Sequence, residues 1–192
     1  MTQTVTYIYD DPSLAGQAVR ALEAAGYTSS EISIVRQDGE VAWSADRDDP
    51  VGDGATTGAS VGLAAGAGAG LLASLGLIAI PGIGPLVAAG VLATTLAAGA
   101  AGAVGGGILG ALIDYGVSEE DAPVYAETLR RGGTLVSVRA ADTRVAEAEL
   151  IMQRFSPTDI AQRGQAYRDE GWTGYDPDAA PYDEAERRRN RA

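Results

Sequence analysis

Cysteine, histidine and lysine are all absent from the 192 residues. Without cysteine there are no disulfides and no thiol chemistry, and without cysteine and histidine together zinc sites of the usual ligand types are excluded. The missing histidine removes the commonest general base. The missing lysine removes a P-loop lysine, a Schiff base and an anchor for pyridoxal phosphate. All 14 basic residues are arginine, set against 26 acidic residues for a net charge of −12. Binding phosphate backbones needs a basic face, so nucleic acid is not an expected partner. Carboxylates, Tyr, Ser and Arg are left for chemistry, and they form no recognisable constellation. No catalytic residue, cofactor or metal is therefore assigned, and a non-enzymatic protein is expected. The start, MTQTVTYIYD, lacks the basic and apolar regions of a signal peptide, so synthesis is expected to begin in the cytoplasm.

Charge is missing locally as well. From Gly54 to Ile113 no residue is charged, whereas both flanks are ordinary amphipathic protein. The chain divides into a first half-domain at 1–45, an acidic linker at 46–53, the uncharged segment at 54–113, a second half-domain at 114–161 and a polar tail at 162–192. In the first half, TVTYIY is rich in β-branched and aromatic residues and predicts a strand. Asp11 and Pro12 then supply an N-cap and a first-turn proline for a helix with Leu14, Ala18, Val19 and Leu22 on one face, ended by Gly26. EISIVRQ predicts a second strand.

In the second half, Ser118 and Asp121 offer a capping box for a short helix that ends at paired glycines, although Pro123 also allows a start at Asp121. TLVSVRA predicts a third strand. Asp142 is read as the cap of a helix with Val145, Ala148, Met152 and Phe155 on its core face, and TDIA as a short fourth strand. Each half reads as strand, helix, strand. The expected fold is thus α+β, a ferredoxin-like β-α-β-β-α-β domain whose second and third strands are separated by the uncharged insertion.

YDDPSLAGQAVRALEAAGY, AIPGIGP and YGVSEEDAPVYAETLRRGGTLVSV together resemble bacterial general stress proteins with a YflT-like domain, including their glycine-rich, membrane-type relatives. The resemblance covers roughly residues 4–161. It implies an association with stress and supplies no catalytic residues.

Within the insertion, IPGIGP clusters two prolines and two glycines, which break a helix. Pro81, Gly82, Gly84 and Pro85 are therefore read as the turn of an α-helical hairpin with arms at 54–80 and 86–113. Each arm would run about 40 Å, enough to cross a hydrocarbon core of about 30 Å. Glycine recurs every fourth residue at Gly54, Gly58, Gly62, Gly66 and Gly70, and again at Gly102, Gly106 and Gly110 with Gly99 before them. Each glycine costs a helix about 1 kcal/mol relative to alanine. Close backbone approach along a small-residue strip is the compensation expected, as in a glycine zipper.

Two environments suit such a hairpin. A lipid bilayer would place it in a bacterial inner membrane with the soluble domain in the cytoplasm, although Asp46, Asp48, Asp49, Asp53, Asp114, Glu119, Glu120 and Asp121 at its flanks run against the usual basic flanks of a span. Alternatively, hairpins of several copies form a shared core in a cytoplasmic homo-oligomer that acts as a binding module. Both readings make the chain itself a partner.

Weaker matches are outweighed. GASVG fits a nucleophile-elbow string at Ser60, but no histidine exists to complete a triad and the string lies within the glycine strip. DRDDPVGDG departs from a calcium loop at Pro50 and Thr57, and reads as a solvated acidic linker. Arg130 and Arg131 suit a helix C-terminus, or lipid phosphates. The tail, with Trp172, Tyr175 and Tyr182, reads as a disordered segment or as an extended ligand for a partner's groove. Arg187, Arg188, Arg189 and Arg191 near its end add weak attraction for anionic headgroups.

Overall fold

Val5 and Tyr9 lie in the core on one face of the first strand and Ile8 in the core on the other, so this strand has a packed layer on each side. The computed structural model describes residues 1–37, 76–80, 84–90, 107–180, 182, 183 and 186. The elements are β1 (Thr2–Tyr9), α1 (Pro12–Ala24), β2 (Ile32–Gln37), β3 (Gly76–Ile80), β4 (Gly84–Ala89), α2 (Gly107–Asp114), α3 (Ala122–Arg130), β5 (Thr134–Ala141), a 3-10 turn (Asp142–Arg144), α4 (Val145–Gln153) and α5 (Ile160–Asp169). The strands form one sheet in the order β1-β5-β2-β4-β3, with every neighbour antiparallel. Thus β1 and β2 run parallel to each other with β5 between them.

Helices cover both faces. Ala15, Ala18, Val19 and Leu22 of α1, with Ala148 and Met152 of α4, pack on Val5, Tyr9, Ile32, Ile34, Val136 and Val138. Across the sheet, Ile108, Ala111 and Leu112 of α2, with Ala122, Tyr125, Ala126 and Leu129 of α3, meet Ile8, Val35, Ala88 and Leu135. Helix α5 lies on α3. Polar ties fix the first layer: the Tyr9 hydroxyl donates to the Met152 carbonyl at 3.0 Å, and the Tyr27 hydroxyl to that of Arg144 at 2.9 Å.

The local signals at the start of the chain act as expected. Asp11 accepts from the Ser13 amide at 2.8 Å, and Pro12 opens α1. Helix α3 begins after Asp121, while Ser118 and Asp121 hydrogen-bond each other in the preceding turn. Gly90, just after β4, has φ +86, and a Cβ there would stand 2.3 Å from the Ile32 carbonyl oxygen. Only glycine permits that backbone to pass so close to β2.

Four expectations are corrected. Residues 76–80 and 86–89 are not helical, and Gly84 and Pro85 are not turn residues: they form β3 and β4, a β-hairpin with Ile80 opposite Gly84 and Ala79 opposite Pro85. Short apolar runs bounded by Gly and Pro satisfy strand and buried helix equally by periodicity, and pairing of β4 with β2 decides it. Secondly, TDIA is no strand. Asp159 accepts from the Gln162 amide at 2.9 Å and caps α5, leaving one backbone bond, Thr158 N–H to the Ile8 carbonyl at 2.8 Å, to reach the β1 edge. Thirdly, Asp142 does not cap α4. Its carboxylate takes the Met1 ammonium at 3.3 Å and the Gln3 amide at 3.2 Å. Lastly, the polar tail set at 162–192 begins inside α5, where Gly164 and Tyr167 are buried.

The boundary at 113/114 falls within α2, whose buried residues belong to the core. No described helix is long and apolar enough to cross a membrane. Leu112→Ala should destabilise the protein by about 2–5 kcal/mol, the range for a buried leucine, as read from urea unfolding. A loss under about 0.5 kcal/mol, the level of a surface substitution, would put α2 outside the core.

Candidate functional site

Helix α3 places Glu127, Arg130 and Arg131 at i, i+3 and i+4, so all three side chains meet on one face. The Glu127 side chain is 0% exposed. A buried carboxylate is tolerated only with partners that replace its water, and Glu127 has three. Arg130 Nη1 donates to it at 3.2 Å, Arg131 Nε at 2.8 Å and the Tyr182 hydroxyl at 3.2 Å. Arg131 also donates to Glu170, beyond α5, at 2.6 Å. Burial by itself would lower the Arg131 pKa, but the hydrogen bonds it donates to Glu127 and Glu170 outweigh it and the net shift is upward.

Aromatic rings complete the cluster. The Arg131 guanidinium lies 4.0 Å from the centre of the Tyr167 ring, and that of Arg130 lies 4.4 Å from the centre of Tyr182. Arg130 Nη2 donates to the Ala180 carbonyl at 3.1 Å. Trp172 meets Tyr167 edge-on with ring centres 5.8 Å apart, and the Tyr167 hydroxyl hydrogen-bonds that of Thr128. Tyr175 packs against the α2–α3 core. The segment after α5 is therefore strapped along α3 by arginine–aromatic contacts. Arg130 and Arg131, each with side chains 11% exposed, are enclosed by it and do not face outward toward headgroups.

The tyrosines here are held neutral. Burial pushes Tyr125 up to about 12, with Asp121 and Tyr7 adding to the shift. Burial likewise pushes Tyr175 up to about 12 against the pull of Arg130. Tyr182 is raised by burial first and then by Glu127.

A separate open depression of about 620 Å³ lies where β1 ends and α5 begins, lined by Asp10, Ser156, Pro157, Thr158, Asp159, Gln162, Arg163 and Ala166. Arg163 pairs with Asp10 across it. Ser156 adopts the left-handed backbone at φ 52, and the Thr158 hydroxyl has no partner. Among the described residues no group of three or more carboxylates is placed to hold a metal ion.

Most of the expected packing strip lies outside the described residues: Gly54, Gly58, Gly62, Gly66, Gly70, Gly99, Gly102 and Gly106, with Pro81 and Gly82 of the turn. Gly110 sits in α2, and a Cβ there would meet nothing within 4 Å, so it makes no close helix contact among the described residues. Gly84 and Pro85 open β4. The Glu127 cluster escaped the sequence reading. The E-x-x-R-R spacing was visible in it, but the closure by Tyr182, 55 residues away, had no local signal. The chain matches no family model, no curated protein and no solved structure.

Two expected outcomes follow from the cluster. Tyr182→Phe leaves the carboxylate of Glu127 one donor short and should cost about 1.5–3 kcal/mol, read in urea; an unchanged midpoint would mean that the strap does not bear on stability. The raised tyrosines work against the fold in alkali. Their neutral forms are favoured in the native state, so stability is full below the ordinary value of 10.0 and falls as pH rises toward about 12. Tyrosinate absorbance should therefore rise in two stages, exposed phenols first and buried ones together with loss of circular dichroism. A single stage near 10 with the fold intact would contradict the burial described.

Proposed function

We propose that this chain is a non-enzymatic, self-associating protein in which an α+β domain carries the uncharged 54–113 segment as its association element. The observation that carries this reading is the β2–β4 pairing. It joins part of that segment to the sheet and leaves β3, from within the same segment, as the outermost strand. An apolar segment anchored in this way is held at one place on the domain, where it can meet its counterpart in another copy.

The finer fold assignment is part of the proposal. Two parallel strands joined by α1 with an antiparallel strand between them form the split β-α-β unit of ferredoxin-like folds, and this supports reading β1, β5 and β2 as three of its four strands. The resemblance to general stress proteins assigns the role to a stress response in bacteria. The glycine strip is kept as the tight-packing part of the association element, with no ligand or cofactor. Bilayer insertion is the second reading, favoured by the run from Gly54 to Ile113 without a charge.

Gly62→Leu and Gly66→Leu should shift sedimentation and chemical cross-linking toward smaller species, since a large side chain separates backbones that attract by close approach. Ala64→Leu, off the strip, should not. Wild type that sediments as a monomer at every concentration would overturn the proposal. Washing membranes with alkaline carbonate separates the two readings: an inserted protein stays in the pellet, and a self-associated one is released.

A further inference from the structure

The two edges of the sheet differ in how their backbone groups are used. Alternation along antiparallel strands makes it possible to assign these groups across the whole sheet from one bond. The Arg139 amide donates to the Glu31 carbonyl, so odd-numbered residues of β5 face β2, and odd-numbered residues of β2 face β5. Even-numbered Ile34 and Arg36 then face β4, opposite Ala89 and Val87. On β4 the even-numbered residues therefore face β3, where they oppose Gly76, Ile78 and Ile80. The amide and carbonyl groups of Leu77 and Ala79 point out of the sheet. Pro85, which has no N–H, falls one step past the last β2–β4 pair, Gln37 with Leu86, where no donor is called for.

At the other edge two outward carbonyls of β1 are engaged and a third is closely approached. The Ile8 carbonyl accepts from the Thr158 amide and the Thr6 carbonyl from the Tyr125 hydroxyl, while Gly116 lies so near the Thr4 carbonyl that a Cβ would stand 3.4 Å away. Edge strands are ordinarily blunted by such coverage, or by charge or proline within the strand. Strand β3, GLIAI, contains neither charge nor proline, and no described residue bonds its outer side.

Resting on the self-association reading, we propose that β3 pairs with β3 of a second copy, antiparallel about a two-fold axis at Ile78. The outward groups fit this register. With Ile78 opposite its counterpart, Leu77 of each copy faces Ala79 of the other, and their two N–H and two C=O groups per copy form four hydrogen bonds. A chain of net charge −12 repels its copies generally, and β3 lies within the segment that carries no charge, so contact there brings no carboxylate onto another. The occupant is a second copy because the pattern is complementary to itself.

Ile78 with its counterpart is a pair not bonded through the backbone, with Cα atoms about 4.5 Å apart, inside the range for a disulfide. In a chain without cysteine, Ile78→Cys should give a covalent dimer on mild oxidation, with Leu77→Cys giving far less. Ala79→Pro removes two of the four interchain bonds and none within the sheet. It should weaken dimerisation roughly tenfold to a hundredfold, as measured by sedimentation, with an unchanged circular dichroism spectrum. Assembly that persists in the wild type without a cross-link at Ile78, and that Ala79→Pro leaves intact, would overturn edge pairing while leaving self-association standing. A wild type monomeric at every concentration would overturn both.

Discussion

Strand β5 lies between β1 and β2 and hydrogen-bonds to both, from Thr2–Ala141 at one end of its β1 pairing to Tyr9–Thr134 at the other, and through Ile32–Arg36 along β2. Because β1 and β2 do not touch, the first half of the chain has no sheet of its own. Their connection through α1 sets the two strands parallel with a gap, and only a strand from beyond the uncharged segment fills it. Both cores depend on this insertion: Val136 and Val138 complete the layer under α1 and α4, and Leu135 completes that under α2 and α3. The stretch between β2 and β5 is itself built in, since it supplies β4 and β3 to the sheet and α2 and α3 to one core.

The legible parts of the sequence were those in which cause and effect lie within a few residues. Asp11, Pro12 and Gly26 bracket α1, and TVTYIY, EISIVRQ and TLVSVRA became strands. The errors arose where two local signals competed or where a distant partner decided. At Thr158–Ala161 a capping aspartate outweighed a β-branched pair, so a helix starts where a strand was expected. At Gly76–Ala89 the arms expected as helices are strands, and Gly84 and Pro85, expected in the turn, belong to β4, because Val35 and Arg36 of β2 offer a ladder to Ala88 and Val87. Nothing in GLIAI or PLVAA announces that partner. Asp142 shows the same limit: the chain's own N-terminus, brought next to it by the β1–β5 register, took the carboxylate from the helix.

The Glu127 cluster obeys the same rule in its polar chemistry. An i, i+3, i+4 trio on an exposed helix contributes only a few tenths of a kcal/mol per pair. Here the segment after α5 covers it, and burial changes the balance. The carboxylate loses its water, so each arginine bond becomes a requirement rather than an ornament of the surface. Tyr167, Trp172 and Tyr182 suit this cover, since the π faces of Tyr167 and Tyr182 receive the two guanidinium groups, the Tyr182 hydroxyl donates to Glu127, and Trp172 packs edge-on against Tyr167. Polar composition suggested a disordered tail because composition averages over residues, whereas docking depends on three aromatic side chains and one carbonyl.

The contrast between the two sheet edges bears on how an assembly of this protein would end. A sheet with two open edges adds copies at both, and such head-to-tail growth gives filaments unless the geometry closes. With β1 contacted by Thr158, Tyr125 and the loop at Gly116, the proposed edge pairing falls on β3. Pairing of β3 with its own copy uses the same surface on both sides, and once formed it leaves no second β3 to continue. Under the proposed pairing the sheet stage of association would therefore stop at two copies, with a ten-stranded sheet whose outer edges would both be β1. Any larger assembly would need a different contact, and the proposed packing strip from Gly54 to Gly70 is of another kind, one that would work by close approach of backbones and not by strand pairing.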